Sequence, residues 1–325
     1  MPPHPLPHPP PSTAARAGKY LVRLLVTAAI LFAILRSIDA PRVWQTLAQA
    51  RPPLLFAALS LQLASTLVAA YRWQLVMHNL GFGQTFAFYW RSYFKGQFFN
   101  QGLPTSIGGD ALRVLDVAAC GFRKRDALYA IMIDRVTGLG ALLLLALFAC
   151  AANPALLPEQ LYRFVFLLMV AGLAGLMAGY AAGKYAWFKP HPRLAILQLL
   201  ATRLYRALSA QRLKLLLSSL LVPVLALLGF FATGRALGLP YGPLTYFAIV
   251  PLALVLSIVP VSIAGWGVRE GALVGLFSLV GADKAAVLMM SLLYGVMLIL
   301  VSLPGLVVFL QGRHRKNHEN RVGMP

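Results

Sequence analysis

Acidic residues are scarce in this chain: nine Asp and Glu stand against 29 Lys and Arg in 325 residues. Charged residues of both signs make up only 12%, about half the share in a typical soluble domain, which excludes an ordinary water-soluble globule. Cysteine is scarcer still. Cys120 and Cys150 lie in or near apolar surroundings with no CxxC spacing, which excludes a disulfide framework. Of the six histidines, His4, His8, His191, His314 and His318 fall in the tails or a basic stretch, and His78 ends an apolar run alone. No set of metal ligands is therefore spelled out, no nucleotide-binding motif is present, and no cofactor is expected.

What the chain has in abundance is apolar length. It is 59% hydrophobic with a mean hydropathy of +0.73. Runs near 20–37, 54–78, 126–152, 160–182, 213–236, 243–262 and 285–311 are close to the ~20 residues with which a helix crosses the hydrocarbon core. Two shorter runs, 84–103 and 264–281, carry charges or glycines that a simple span avoids. The expectation is an all-α, polytopic transmembrane bundle of seven spanning helices and two partial ones. Lys19, Arg23 and LLVTAAILFAIL have the look of a signal sequence, but no small-x-small cleavage site follows, so this stretch is read as the first helix. The proline-rich MPPHPLPHPPPS is read as a disordered tail. The domain reading is a tail over 1–18, one transmembrane domain over 19–311 with halves of about 19–157 and 158–311, and a basic tail over 312–325.

A formal charge of +20 invites a nucleic-acid reading, but its placement argues for topology. Lys184, Lys189, Arg193, Arg203, Arg206, Arg212 and Lys214 sit between two apolar runs, Arg123, Lys124 and Arg125 precede a third, and Arg313, Arg315, Lys316 and Arg321 close the chain. Positive connections stay in the cytoplasm. The segment 152–160, with Glu159 and no Lys or Arg, faces the other way, whereas 38–53, with Arg42 and Arg51 against Asp39, runs against the scheme. The expected location is the cell inner membrane with a cytoplasmic C-terminus.

Residues 104–113, PTSIGGDALR, recur without a gap as 260–269, PVSIAGWGVR, sharing Pro, Ser, Ile, Gly and Arg at an offset of 156 (260 − 104). The same offset lays 54–78 over the run at 213–236, 84–103 over 243–262 and 126–152 over 285–311. The basic cluster lies at the start of 126–152 but at the end of 285–311, so corresponding helices are expected to run in opposite directions. Inverted repeats with Gly- or Pro-interrupted segments point to a substrate site between the halves. Pro104 and Pro260 stop a helix, while Gly108, Gly109 and Gly265 allow the backbone to turn or approach closely. Short helices beginning there would present N-terminal donors to an anion, joined by Arg113 and Arg269 with their planar forks. Ser106, Ser262, Asp110, Glu270, Asp134 and Arg135 complete the ionisable and polar set near the breaks. Their bland role is mutual neutralisation, Asp110 or Glu270 pairing with Arg113, Arg135 or Arg269. Asp134–Arg135 and Arg269–Glu270 are sequence neighbours, which do not face each other on a helix, and so are expected to find partners elsewhere. The stretch TFAFYWRSYFKGQFFNQG reads as an interfacial anchor around Trp90 and Arg91, with Lys95, Asn100 and Gln101 as candidates for a headgroup pathway.

The segments NQGLPTSIGGDALRV, ALYAIMIDRVTGL and PVSIAGWGVREGALVGLF together resemble the flippase-like membrane family named after the transmembrane domain of lysylphosphatidylglycerol synthase. The resemblance runs from about residue 20 to 311. It implies a polytopic inner-membrane protein of lipid translocation, with some members fused to a lysyl-transferase domain and others linked to hopanoid or lipid-linked sugar pathways. With no soluble domain after residue 311, the reading is a stand-alone translocating part to which aminoacylation does not carry over. The partners implied are membrane lipids carrying an anionic or zwitterionic headgroup, and no nucleic acid. The alternative is an intramembrane enzyme, or an accessory subunit, acting on a phospholipid, a hopanoid or a polyprenyl-linked glycolipid.

Overall fold

The computed structural model describes residues 46–102, 108–185, 195–258 and 265–322. Ten α-helices and a short 3-10 turn make up these residues, with no strand among them. They are α1 Pro52–Asn79, α2 Phe86–Gly102, α3 Gly108–Ala119, α4 Lys124–Ala152, α5 Glu159–Lys184, α6 Ala195–Ser209, α7 Arg212–Ala236, α8 Pro243–Leu256, α9 Val268–Ser278 and α10 Lys284–Val322. Five helices are long and apolar enough to span a membrane: α1, α4, α5, α7 and the Lys284–Gln311 part of α10. Their side chains turn outward to a degree that water would not tolerate, with Phe56, Phe148, Phe164, Leu167 and Leu213 all exposed. In lipid such a surface costs nothing.

Two elements differ from the sequence reading. The run at 243–262 is helical only over the 14 residues Pro243–Leu256, about 21 Å at 1.5 Å per residue, short of the ~30 Å core. The helix ends at Leu256, with Ser257 N donating to Ala253 O at 3.1 Å as its last turn closes. The basic connection between α5 and α7, read as a loop, contains the 15-residue α6. Its Ile196, Leu200, Leu204 and Leu208 recur every four residues, which gives it an apolar row, and with Ala201, Leu204 and Tyr205 it packs on Gly179, Tyr180 and Gly183 of α5. The run at 20–37 lies outside the described residues.

At the seam of the molecule α1 and α7 pack antiparallel. Arg51 N donates to Ala236 O at 3.0 Å, Ser65 Oγ to Val222 O at 2.9 Å, and Asn79 Nδ2 to Ala210 O at 2.9 Å, so position rises along one chain as it falls along the other. Pro223 sits inside α7 just beyond the Ser65 acceptor. Nearby Tyr294 from α10 stacks on Phe230 at 3.6 Å and donates to Gln62 of α1.

Exchanging α1 with α7, α2 with α8, α3 with α9 and α4 with α10 leaves the packing pattern unchanged. Thus α2 packs on α10 as α8 packs on α4, and α4 on α7 as α10 on α1. The neighbours α1–α2, α2–α3, α3–α4 and α1–α4 likewise recur as α7–α8, α8–α9, α9–α10 and α7–α10. Helices α5 and α6 stand outside this correspondence and flank α4.

Candidate functional site

The site is set by a close contact of two backbones. A Cβ at Gly109 would lie 1.8 Å from Gly96 O, so only glycine lets α3 rest on α2. Asn100 Oδ1, one turn further along α2, accepts from Gly109 N at 2.7 Å, so one donor at the start of α3 is already taken by the protein. Held this way, α3 turns Asp110 and Arg113 inward, where both are buried. Arg113 Nη1 donates to Asp110 Oδ1 at 3.1 Å and Nη2 to Asp134 Oδ2 of α4, also at 3.1 Å. Asp134, 2% exposed, accepts from Arg72 Nε of α1 at 3.0 Å, and Asp110 Oδ2 accepts from Arg135 Nε. The chain of charge therefore runs Arg72, Asp134, Arg113, Asp110, Arg135 across three helices. Beneath it the Arg113 guanidinium lies 4.0 Å over the ring of Trp73 and 4.8 Å over that of Tyr93, where the ring quadrupoles favour a cation.

This network forms one wall of a cavity of about 440 Å³. Tyr93, Gln97, Asn100 and Gln101 of α2 continue the polar wall, while Val136, Leu139, Leu142 and Ile258 make an apolar lip. Val136 is 43% and Ile258 52% exposed, so the lip reaches the outer surface. Three arginines against two aspartates leave the lining one positive charge in excess among the described residues. Two buried donors on it, Arg72 Nη1 and Arg113 Nε, have no hydrogen-bond partner. Such orphans are rare and call for an explanation.

Six of the residues singled out from sequence thus meet in one place: Asn100, Gln101, Asp110, Arg113, Asp134 and Arg135. Asp134 and Arg135 find partners on other helices, as their adjacency required. Arg269 and Glu270 are not in this cavity, and they pair with each other despite adjacency. Arg269 Nη2 donates to Glu270 Oε1 at 2.6 Å and Nε to Ser291 Oγ at 3.1 Å, while Gly267 N donates to Glu270 Oε2 at 2.6 Å. The no-facing rule holds for helix interiors, but Glu270 stands in the first turn of α9 and folds back over the N-terminus, bringing its carboxylate beside Arg269. The N-terminal donor expected to meet an anion is here satisfied by Glu270. Gly265 has φ of +79°, the turn its glycine allows. Lys95 pairs with Asp116 of α3 and is absent from the cavity lining. Pro104, Ser106, Pro260 and Ser262 lie outside the described residues.

Arg72, Tyr93 and Gln97 were not singled out from the sequence. The signal for Arg72 was present as a lone cation in YRWQL near the end of a 28-residue apolar helix, and an ionisable residue inside a span is a functional candidate by default.

A bundle with five span-length apolar helices, of which α1 and α4 contribute to a charged cavity, is a multi-pass membrane protein. A family model described as lysylphosphatidylglycerol synthase TM region matches residues 20–305, and the chain belongs to that family, a membrane-domain family related to lipid handling. A search of curated proteins found no match.

Proposed function

We propose that the protein moves a lipid headgroup across the bilayer, with the cavity between α1, α2, α3 and α4 as the place where the headgroup sits. The observation that carries this reading is the make-up of the cavity: a polar wall with an excess arginine charge faces an apolar lip that reaches the outer surface. A soluble ion needs only the wall. A lipid uses both, since its acyl chains can stay in the bilayer while its headgroup enters past Val136 and Ile258. Asp110, Arg113, Asp134 and Arg135, with Asn100 and Gln101, are the residues assigned to the headgroup.

The two halves are proposed to form an inverted repeat. The antiparallel run of α1 against α7 and the packing pattern preserved on exchange of the halves support it, and rocking of one half against the other would open the cavity to alternate sides. In the inner membrane, the basic ends near Arg123–Arg125 and Arg203–Lys214 would lie on the cytoplasmic side.

The test is translocation of fluorescent phospholipids in liposomes containing the purified protein. Arg113→Gln is expected to cut the rate by at least tenfold, because one charge-assisted contact is worth about 1.5–3 kcal/mol and 1.4 kcal/mol is a factor of ten. Translocation by Arg113→Gln at the native rate, in protein that stays folded, would remove the cavity from the transport path.

A further inference from the structure

We propose that the molecule carries a second anion site, a pocket for a phosphate group at the membrane surface, held by Arg203 and Arg206 of α6. The pocket shares no lining residue with the headgroup cavity, and it does not depend on the transport reading.

The pocket is a cavity of about 370 Å³ where separate parts of the chain meet. Asn79 comes from the end of α1, Phe82 from the turn after it, Phe122 and Asp126 from the turn into α4, and the two arginines from α6. Helix α1 ends at Asn79 and α4 begins at Lys124, and both are of span length. The cavity therefore stands where spanning helices leave the hydrocarbon for the headgroups. Basic pockets between spanning helices at the cytoplasmic level are suited to anionic headgroups. The rings of Phe82 and Phe122, 4.7 Å apart between centroids, supply the apolar part of the lining.

Arg203 and Arg206 are three residues apart on α6 and so share a face. Arg203 is braced: its Nη2 donates to Asp126 Oδ1, and its guanidinium lies 4.9 Å over the ring of Tyr129. Its Nε and Nη1 have no partner among the described residues. Arg206 is exposed, and none of its guanidinium nitrogens has a partner among the described residues. Two planar forks of donors one turn apart match the oxygens of a phosphate, and two arginines against one aspartate leave the lining one positive charge in excess. The turn that brings Phe122 and Asp126 to the cavity adds Arg123, Lys124 and Arg125, all exposed. Carbonyls at the end of α6 would repel an anion, but Asn79 Nδ2 donates to Ala207 O at 2.7 Å and to Ala210 O at 2.9 Å, which covers them. Topology alone asks for cations at this end of the helices. It does not ask for a cavity in which one arginine is braced and the next is left over.

The experiment uses the purified full chain in a neutral detergent, with Cys150→Ser and an environment-sensitive dye on Cys120, which is exposed and two residues from Phe122. Dioctanoyl phosphatidic acid should change the dye emission saturably, and dioctanoyl phosphatidylcholine should bind at least tenfold more weakly. Arg206→Gln should weaken phosphatidic acid about fivefold. Asp126→Asn, which frees Arg203 and removes the acid from the lining, should tighten it several-fold, whereas a pair that only braces α6 against α4 predicts a loss. Arg212→Gln, outside the lining, and Arg113→Gln, in the headgroup cavity, should both leave the affinity unchanged. Glycerol phosphate, the same phosphomonoester without acyl chains, identifies the source: binding as tight as the lipid's supports a site for a soluble phosphate, and much weaker binding supports a lipid site. The absence of a saturable response overturns the proposal, and so does native affinity in Arg206→Gln. A loss in Arg212→Gln equal to that in Arg206→Gln would make the attraction diffuse, and a loss in Arg113→Gln alone would return the ligand to the headgroup cavity; either result refutes the second site.

Discussion

Replacing Asp134 with asparagine exchanges one oxygen for an NH2 group and should shake the whole bundle. Asp134 is 2% exposed and is the joint between Arg72 of α1 and Arg113 of α3. Asparagine keeps the shape and one acceptor but removes the charge that holds two guanidinium groups together, raising the excess on the cavity wall from one to two. Removing one partner of a buried pair costs about 3–5 kcal/mol. At roughly 2–4 °C per kcal/mol for a chain of this order of size, the apparent unfolding temperature should fall by about 6–20 °C. Arg72→Met should cost less, because it takes the wall to neutrality and leaves Asp134 paired with Arg113. The double variant Arg72→Met with Asp134→Leu removes one charge of each sign, returns the excess to one and is expected to recover most of the loss. Cys150, 2% exposed, is a built-in reporter, since a thiol-reactive dye labels it as the helices separate. Cys120 is exposed and is replaced by serine in all variants. If Arg72→Met proves as harmful as Asp134→Asn, or the double variant no better than Asp134→Asn, charge balance is not what holds these helices and the account of the network is wrong.

Three further outcomes are expected. Gly109→Ala should lower the same unfolding temperature sharply, by the equivalent of about 3 kcal/mol or more, the upper end of overpacking costs, because its Cβ would meet Gly96 O at 1.8 Å. Gly275→Ala, with nothing within 4 Å, should be neutral or stabilise by a few tenths to about 1 kcal/mol; similar behaviour of the two would discredit the backbone contact. Ser291→Ala should destabilise by about 1–3 kcal/mol, since it takes a hydroxyl from Arg269 and Glu270 at full burial, while phospholipid translocation by the folded fraction stays at the native rate; a lost rate with unchanged stability would instead place Arg269 in the transport path. Single cysteines at Asn153 and Gln211, in the Cys120→Ser, Cys150→Ser background, should be labelled by an impermeant maleimide from opposite faces of sealed vesicles, and labelling from one face would break the proposed topology.

The span-length helices were readable because hydropathy acts over whole turns. The run at 126–152 became Lys124–Ala152 and that at 213–236 became Arg212–Ala236, with differences confined to the ends. The glycines at 96 and 109 show where such reading stops: Gly109 stood out beside Pro104, but nothing in the sequence says that its neighbour across the helix pair is Gly96. Arg72 was lost in an average, since one cation hardly moves the mean hydropathy of a 28-residue span. Helix α6 is hidden for the opposite reason, since Arg203 and Arg206 lower the hydropathy of a segment whose apolar side chains recur every four residues. The pairing of Arg269 with Glu270 was missed because adjacency was judged for a helix interior, and Glu270 stands at the start of one.

On the proposed inverted repeat, the offset of 156 residues shows where the halves differ. Arg113 corresponds to Arg269, but the positions around it have changed: Leu228 stands for Arg72, Trp266 for Asp110, Met290 for Asp134, Ser291 for Arg135 and Tyr294 for Gly138. Each change removes charge or fills space. Where Gly138 leaves room for the Arg72 guanidinium to pack against it, the buried Tyr294 stacks on Phe230 and reaches across to Gln62. Arg113 is held by Asp110 of its own helix and by Asp134 of α4, so a movement of α3 against α4 must exchange Asp134, and an incoming anion offers a replacement. Arg269 is satisfied within two residues of sequence and by Ser291, lies over Trp266 at 5.0 Å and has no such exchange to make.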